Sequence, residues 1–239
     1  MSIHLVGGGW AENGTGEVYR EFLLEASTRA LASGRDVPRI GVLLVREADE
    51  PGESQRYRSL LLQVAPCEPI VTEITEGELF ASAALTGIDG LFVGGGHTPS
   101  YLDGVTPLID EIRLLVADDL PYLGFSAGAM IAADAAIIGG WRIGDVAVCS
   151  EDAGEDLEQV TIVEGLGLVD LAIDVHAAQW GTLSRLVAAT EAGLVDGGIA
   201  IDELTVLIVG GDEIRVVGSG SVWQVAPDEH GVLVSTLGA

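Results

Sequence analysis

Lysine is missing from this 239-residue chain: all 11 basic residues are arginine, against 37 Asp and Glu, for a formal net charge of −26. Without lysine there is no Schiff-base chemistry, no Walker A loop and no serine–lysine dyad. Nucleic-acid binding needs a basic footprint, and the chain has none. The same deficit argues against a strongly anionic polymer as substrate. Aromatic residues make up only 5%, and the two cysteines, Cys67 and Cys149, form no CxxC spacing. In a reduced cytosol both are ordinary small apolar side chains. The longest stretch free of charged residues, 120–133, is 14 residues long, too short to cross a bilayer. The first residues lack the basic and apolar regions of a signal peptide. Absence of HxH, HExxH or Cys/His clusters leaves no metal or cofactor site to expect. The expectation is a cytoplasmic protein with no membrane or nucleic-acid partner.

What the chain does have is 33 glycines and 48% hydrophobic residues, the composition of a globular domain rather than an acidic disordered one. Apolar runs at 3–6, 40–45, 69–74, 90–95 and 121–125 read as strands. Between them lie helical patterns at 17–33 and 53–65, a capped segment from Thr75 to about Thr86, and one from Thr106-Pro107 through 116. A helix of small residues is expected after 126, and another at 181–192. This alternation predicts an α/β fold: a mostly parallel central sheet with helices on both faces. Short runs at 199–201, 205–209, 214–217 and 221–225 read as antiparallel strands extending that sheet. No Pro- or Ser-rich linker interrupts residues 1–239, so a single domain is expected.

Glycine-rich turns follow strands at 7–9 and 94–96, and neither fits a dinucleotide fingerprint, because Glu12 and Pro99 stand where its last glycine belongs. Each is either a sharp turn or a backbone anion site. The string GFSAG at 124–128 is more informative, being Gly-x-Ser-x-Gly between an apolar run and a helical one. Strand, tight turn and helix make the setting of a nucleophile elbow, with the N–H of Ala127 facing an attacked carbonyl. The bland alternative is an ordinary capping serine. Of the four histidines, His4 reads as structural, His97 can touch substrate, and His230 sits in an acidic turn. His176 closes an apolar run before a helix, where α/β sheets place chemistry, and is the preferred base. An α/β-hydrolase esterase is the rival enzyme, using Ser126, Asp202 or Asp212, and His230. A non-catalytic binding protein keeping the same fold is the rival outside enzymology. Cys149 is a nucleophile only on paper, since no strand–helix turn surrounds it.

Four strings, GGGHT at 94–98, GFSAGA at 124–129, GLGLVDLAIDVH at 165–176 and GIAIDELT at 198–205, together resemble the S51 serine peptidases. That family contains aspartyl dipeptidase (peptidase E) and cyanophycinase. The resemblance implies a class I glutamine-amidotransferase-like fold and a peptidase acting on small peptides or isopeptides of Asp or β-Asp type. It implies Ser126 as nucleophile, His176 as general base, and N–H groups of Ala127 and of Gly95 or Gly96 as the oxyanion site. The cyanophycinase branch points to Glu203 as the orienting acid; the dipeptidase branch points to Asp145. Glu203 is preferred. His97, Thr98 and Asp174 then fall on the substrate side. Where that branch carries Arg-Gly-Arg, this chain has Trp180-Gly181-Thr182, with Arg185 retained. Trp180 offers an apolar wall and Arg185 a partner for a carboxylate, or else one packs in the core and the other pairs with a surface acid. The lost arginines tell against cyanophycin itself. Related families include monomers and dimers, so a homodimer stays open.

Overall fold

The computed structural model describes residues 2–10, 16–47, 52–211 and 213–238. Its first half alternates strands and helices: β1 (Ser2–Val6), α1 (Glu17–Ala32), β2 (Arg39–Arg46), α2 (Ser54–Val64), β3 (Glu68–Thr75) and β4 (Gly90–Val93). There follow α3 (Thr98–Val105), α4 (Ile109–Ala117), β5 (Tyr122–Phe125) and a single turn, α5 (Ala127–Met130). A run of short strands comes next: β6 (Ala135–Gly139), β7 (Arg142–Ile143), β8 (Val146–Ala147), β9 (Thr161–Glu164) and β10 (Ala172–Val175). The last part holds α6 (Leu183–Glu191), β11 (Gly198–Ile201), β12 (Thr205–Gly210), β13 (Glu213–Gly218), β14 (Val222–Asp228) and β15 (Gly231–Leu237).

The central sheet has seven strands in the order β13-β12-β1-β5-β4-β2-β3. From β1 to β3 the neighbours are parallel, while β12 and β13 add on antiparallel at the β1 edge. Side-chain alternation along the strands splits the core in two. Ile3, Leu5, Leu91 and Val93 face one cluster together with residues of α3, α4 and α5. Val6, Phe92, Leu123 and Phe125 face the other, packed against Phe22 and Leu23 of α1 and Tyr57 and Leu61 of α2. Helices therefore cover both faces, as expected of an α/β fold with buried parallel strands.

The C-terminal expectation is half met. Residues 205–210 and 213–218 extend the central sheet, but β11 and β14 join β10 and β15 in a separate four-stranded sheet. That sheet shares the first core cluster through Ile173, Ile199 and Val222. Two other expected helices also differ. The run after Ser126 is helical for one turn only and then turns into β6, because Ala132, Ala133, Ala136 and Ile137 are buried all round and no helical stripe selects a face. After Thr75 the Glu78 carboxylate does accept the Thr75 N–H at 2.7 Å, yet the chain makes a turn and a short 3-10 helix at Ser82–Leu85. Among the described residues no helix is long and apolar enough to cross a membrane.

Candidate active site

Ser126 sits between β5 and α5 with φ +52° and ψ −110°, a backbone conformation that costs a non-glycine residue about 1–3 kcal/mol. Its surroundings leave no room for larger neighbours. A β-carbon on Gly124 would lie 2.3 Å from the Gly128 carbonyl oxygen, and one on Gly128 would lie 2.3 Å from that of Val93. The sharp turn is held by Ser126 N–H donating to Val6 O at 3.0 Å and by Tyr122 Oη donating to Gly128 O at 2.7 Å. Strain at this one residue thrusts its hydroxyl out of the sheet.

That hydroxyl lies 2.8 Å from His176 Nε2, and His176 Nδ1 lies 2.7 Å from Glu203 Oε1. His176 follows β10 with its own left-handed φ of +54°, so the strand ends at Val175 and the imidazole leaves the face that Asp174 occupies. Glu203 comes from the turn between β11 and β12. The loop after His176 is tied to that turn: Ala178 N–H donates to Asp202 Oδ1 at 3.0 Å, and Glu203 N–H donates to Gln179 Oε1 at 3.0 Å. Burial pushes His176 below the ordinary histidine range, while the hydrogen bond to Glu203 pulls it back part of the way. Trp180 stacks on the imidazole with centroids 4.0 Å apart and planes 7° from parallel.

Glycines 7–9 do more than turn the chain, because the His–Glu pair packs directly against them. A β-carbon on Gly8 would lie 2.2 Å from His176 Cε1, and one on Gly9 would lie 2.6 Å from Glu203 Cβ. This strip is the bare backbone floor beneath the His–Glu pair, a role its sequence position gave no means to assign. The second glycine turn flanks the serine: a β-carbon on Gly95 would lie 2.8 Å from Ser126 Cβ. Gly95 is clamped, however, by two tyrosines. Its N–H donates to Tyr57 Oη at 3.0 Å, and its carbonyl accepts from Tyr101 Oη at 3.1 Å. With its N–H engaged, Gly95 is a poor oxyanion donor, which leaves Gly96 and Ala127 from the expected set. Burial pushes both phenols well above their usual range, so they stay neutral clamps. In sequence Tyr57 and Tyr101 look like ordinary core residues.

A cleft of about 890 Å³ opens over Ser126, His176 and Glu203. Trp10, Tyr57, Phe125 and Trp180 supply its apolar wall; Glu47, Glu53, Glu151, Asp152, Glu155 and Asp156 supply carboxylates. Among the described residues lining it there is no arginine. His97 lines it too, with Nδ1 2.7 Å from Ser100 Oγ and Nε2 3.2 Å from Glu155 O. Thr98 is buried; its N–H donates to Glu155 Oε2 at 3.0 Å and so holds a rim residue rather than facing substrate. Burial raises the Glu155 carboxyl above its ordinary value.

Arg185 is not at the cleft. It is 2% exposed and pairs through Nε and Nη2 with Asp174, itself 0% exposed, at 2.8 and 2.7 Å. Its Nη1 donates to the carbonyls of Gly140 and Ala153. With four of its five N–H donors on these partners and almost no exposed surface, this guanidinium does not face a substrate carboxylate, so both Asp174 and Arg185 leave the expected substrate-binding set. Asp145 is exposed in the β7–β8 turn, where its carbonyl accepts from Arg142, and it makes no contact with His176. His230 is exposed in the β14–β15 hairpin, and Asp202 is spent on the N–H groups of Ala178, Ser221 and Trp223. Asp212 lies outside the described residues. The esterase arrangement built on His230 therefore lacks its geometry. Burial raises the thiols of Cys67, to about 11, and Cys149, and both are unpaired. No group of three His, Cys, Asp or Glu among the described residues is disposed to hold a metal ion.

Comparison with known proteins decides the family. The sequence pattern of peptidase family S51 matches residues 61–217, well over half of the chain. The chain belongs to peptidase family S51. It is thus a serine-type peptidase, a hydrolase. An S51 fold is also what the solved structures show. A peptidase from an acI-B1 Actinobacterium superposes with a TM-score of 0.64 at 18% identity, covering 100% of this chain and 95% of that one. A protein from Listeria monocytogenes EGD-e given the name peptidase E superposes with a TM-score of 0.56 at 15% identity, covering 92% and 98%. At such identities the likeness speaks for the S51 fold alone. No curated protein matches the chain.

Proposed function

We propose that this S51 peptidase hydrolyses small peptides or isopeptides through an acyl-enzyme on Ser126, with His176 as general base and Glu203 as the orienting acid. The observation that carries this reading is the unbroken hydrogen-bonded chain Ser126–His176–Glu203, at 2.8 and 2.7 Å, on the floor of the cleft. Attack by Oγ on the scissile carbonyl sends the hydroxyl proton to His176 Nε2, while Nδ1–H keeps its bond to Glu203. N–H groups of Ala127 and Gly96 stabilise the oxyanion, each removal costing about 3 kcal/mol in comparable sites. His176 then passes its proton to the leaving amine, and water releases the acyl group.

Trp180 and His97 form the substrate walls. The Asp or β-Asp type of substrate follows from the S51 resemblance; Glu53 is paired with Arg56 at 2.8 Å, and the five other cleft carboxylates favour members of that class carrying a compensating positive charge. The enzyme acts as a single domain over 1–239, a reading supported by the core shared between its two larger sheets. The two unpaired cysteines fit a cytoplasmic location.

Ser126→Ala tests the reading. Loss of both peptide hydrolysis and labelling by a fluorophosphonate, with the fold retained, is expected. Undiminished hydrolysis in that variant overturns it, and absence of labelling in the parent protein would favour a non-catalytic role.

A further inference from the structure

We propose that Trp180 is a positioning residue for His176: its indole fixes the plane of the imidazole and stabilises the imidazolium formed while Ser126 reacts. The inference rests on the serine mechanism above and adds a residue to it. Three observations point the same way. First, the rings lie face to face, 4.0 Å apart and 7° from parallel, a geometry that a wall residue packing at random has no reason to adopt. Second, the backbone builds it: Trp180 N–H donates to His176 O at 2.8 Å, closing a turn that returns the indole over the ring from which the turn began. Third, Trp180 is 46% exposed, so its place in the stack is not a by-product of core packing.

A neutral imidazole with bonds at both nitrogens can still rock about the line joining them. The indole on its face and the Gly8 backbone beside Cε1 restrict that motion. When Nε2 takes the serine proton, the ring becomes a cation against the negative face of an indole, an attraction that grows as water is excluded. Burial opposes that charge, Glu203 and Asp174 favour it, and Arg185 disfavours it. Glu151, Asp152, Glu155 and Asp156 line the same cleft. None of these groups changes when residue 180 is substituted.

The experiment compares Trp180→Phe with Trp180→Leu, since both cover the imidazole with apolar surface but only phenylalanine keeps a π face. A fluorophosphonate is the probe: Ser126 Oγ bonds to phosphorus, fluoride leaves, and the hydroxyl proton goes to His176. The inactivation rate at saturation, its half-saturating concentration and their pH profiles are measured, together with an NMR titration of the His176 ring in the free protein. Trp180→Leu is expected to slow the saturated rate about 10- to 30-fold and to lower the His176 pKa, with half-saturation changed less than about 3-fold. Trp180→Phe is expected to recover most of the rate. If Trp180→Leu matches the parent in rate and titration, or if its whole effect falls on half-saturation, the positioning role is overturned and Trp180 is a wall only. Full reactivity in Ser126→Ala would instead overturn the mechanism and this inference with it.

Discussion

Gly8 lies so close to His176 that a β-carbon on it would stand 2.2 Å from the imidazole Cε1. Gly8 also has a φ of +90°, which an L side chain adopts only under strain. Gly8→Ala is therefore expected to push the imidazole off its line between Ser126 and Glu203. A displacement of about 1 Å at such a site costs about 100-fold in rate. Peptide hydrolysis or fluorophosphonate labelling by the folded variant measures it; labelling at the parent rate would mean the ring tolerates the shift.

The two carboxylates suggested by sequence separate cleanly. Glu203→Gln replaces the carboxylate 2.7 Å from His176 Nδ1 with a neutral amide that can present either its oxygen or its NH2, and is expected to slow turnover by about 100- to 10,000-fold. Asp145→Asn, at an exposed turn, is expected to stay within about 2-fold of the parent. A larger loss in the Asp145 variant reverses the assignment.

The general base sets the acid side of the pH profile. His176 accepts a proton only when neutral, and burial lowers its pKa from 6.5. Activity should therefore be lost as pH falls through a value below 6.5, not above it. A limb centred above 6.5 would show that Glu203 outweighs burial.

Arg185 and Asp174 are the stability counterpart. Replacing Arg185 with leucine leaves a fully buried carboxylate without its partner, a loss of about 3–5 kcal/mol in urea denaturation. Arg185→Leu/Asp174→Leu should recover part of it. If stability is unchanged while KM rises sharply, the arginine meets substrate after all.

Charge in the cleft predicts a ranking of substrates. Among dipeptides of equal size, those with a basic side chain should show higher kcat/KM than acidic ones at low salt, and the gap should narrow as ionic strength rises. Faster hydrolysis of the acidic members at low salt would show that the rim carboxylates do not set specificity.

How legible all this was depended on whether the signal was local. The strands β1, β2, β4 and β5 could be read because each has a buried apolar centre ending at a glycine or a polar turn, and β3, only half-buried, because Pro69, Ile70, Val71 and Ile74 keep it apolar enough. The elbow and His176 could be read because the small residues and the strand-to-turn switch lie within a few positions of the reacting groups. Partition of the C-terminal strands between two sheets could not, since β10, β11 and β12 are all short, largely buried runs and only distant partners decide which sheet takes each. The two readings of Arg185 cannot be separated in sequence for the same reason. Its charge suits a substrate carboxylate or a partner acid equally, and Asp174 of β10 with the carbonyls of Gly140 and Ala153 takes four of its five donors. The glycines at 7–9 were visible as a turn, yet what they make room for lies about 170–195 residues further along.

Ser126 is delivered by the central sheet and His176 by the second one, so the 2.8 Å bond between them crosses the seam where the two sheets meet. The two sheets share one core, yet a shift of about 1 Å at the seam would misalign the pair without breaking a strand. Proton transfer tolerates far less slippage than a hydrophobic core does, and the catalytic pair thus works as an alignment gauge for the whole molecule. On mild heating or in dilute urea the enzyme should fall silent while its strands and helices are still in place. Quiescence without unfolding would be the signature of that joint.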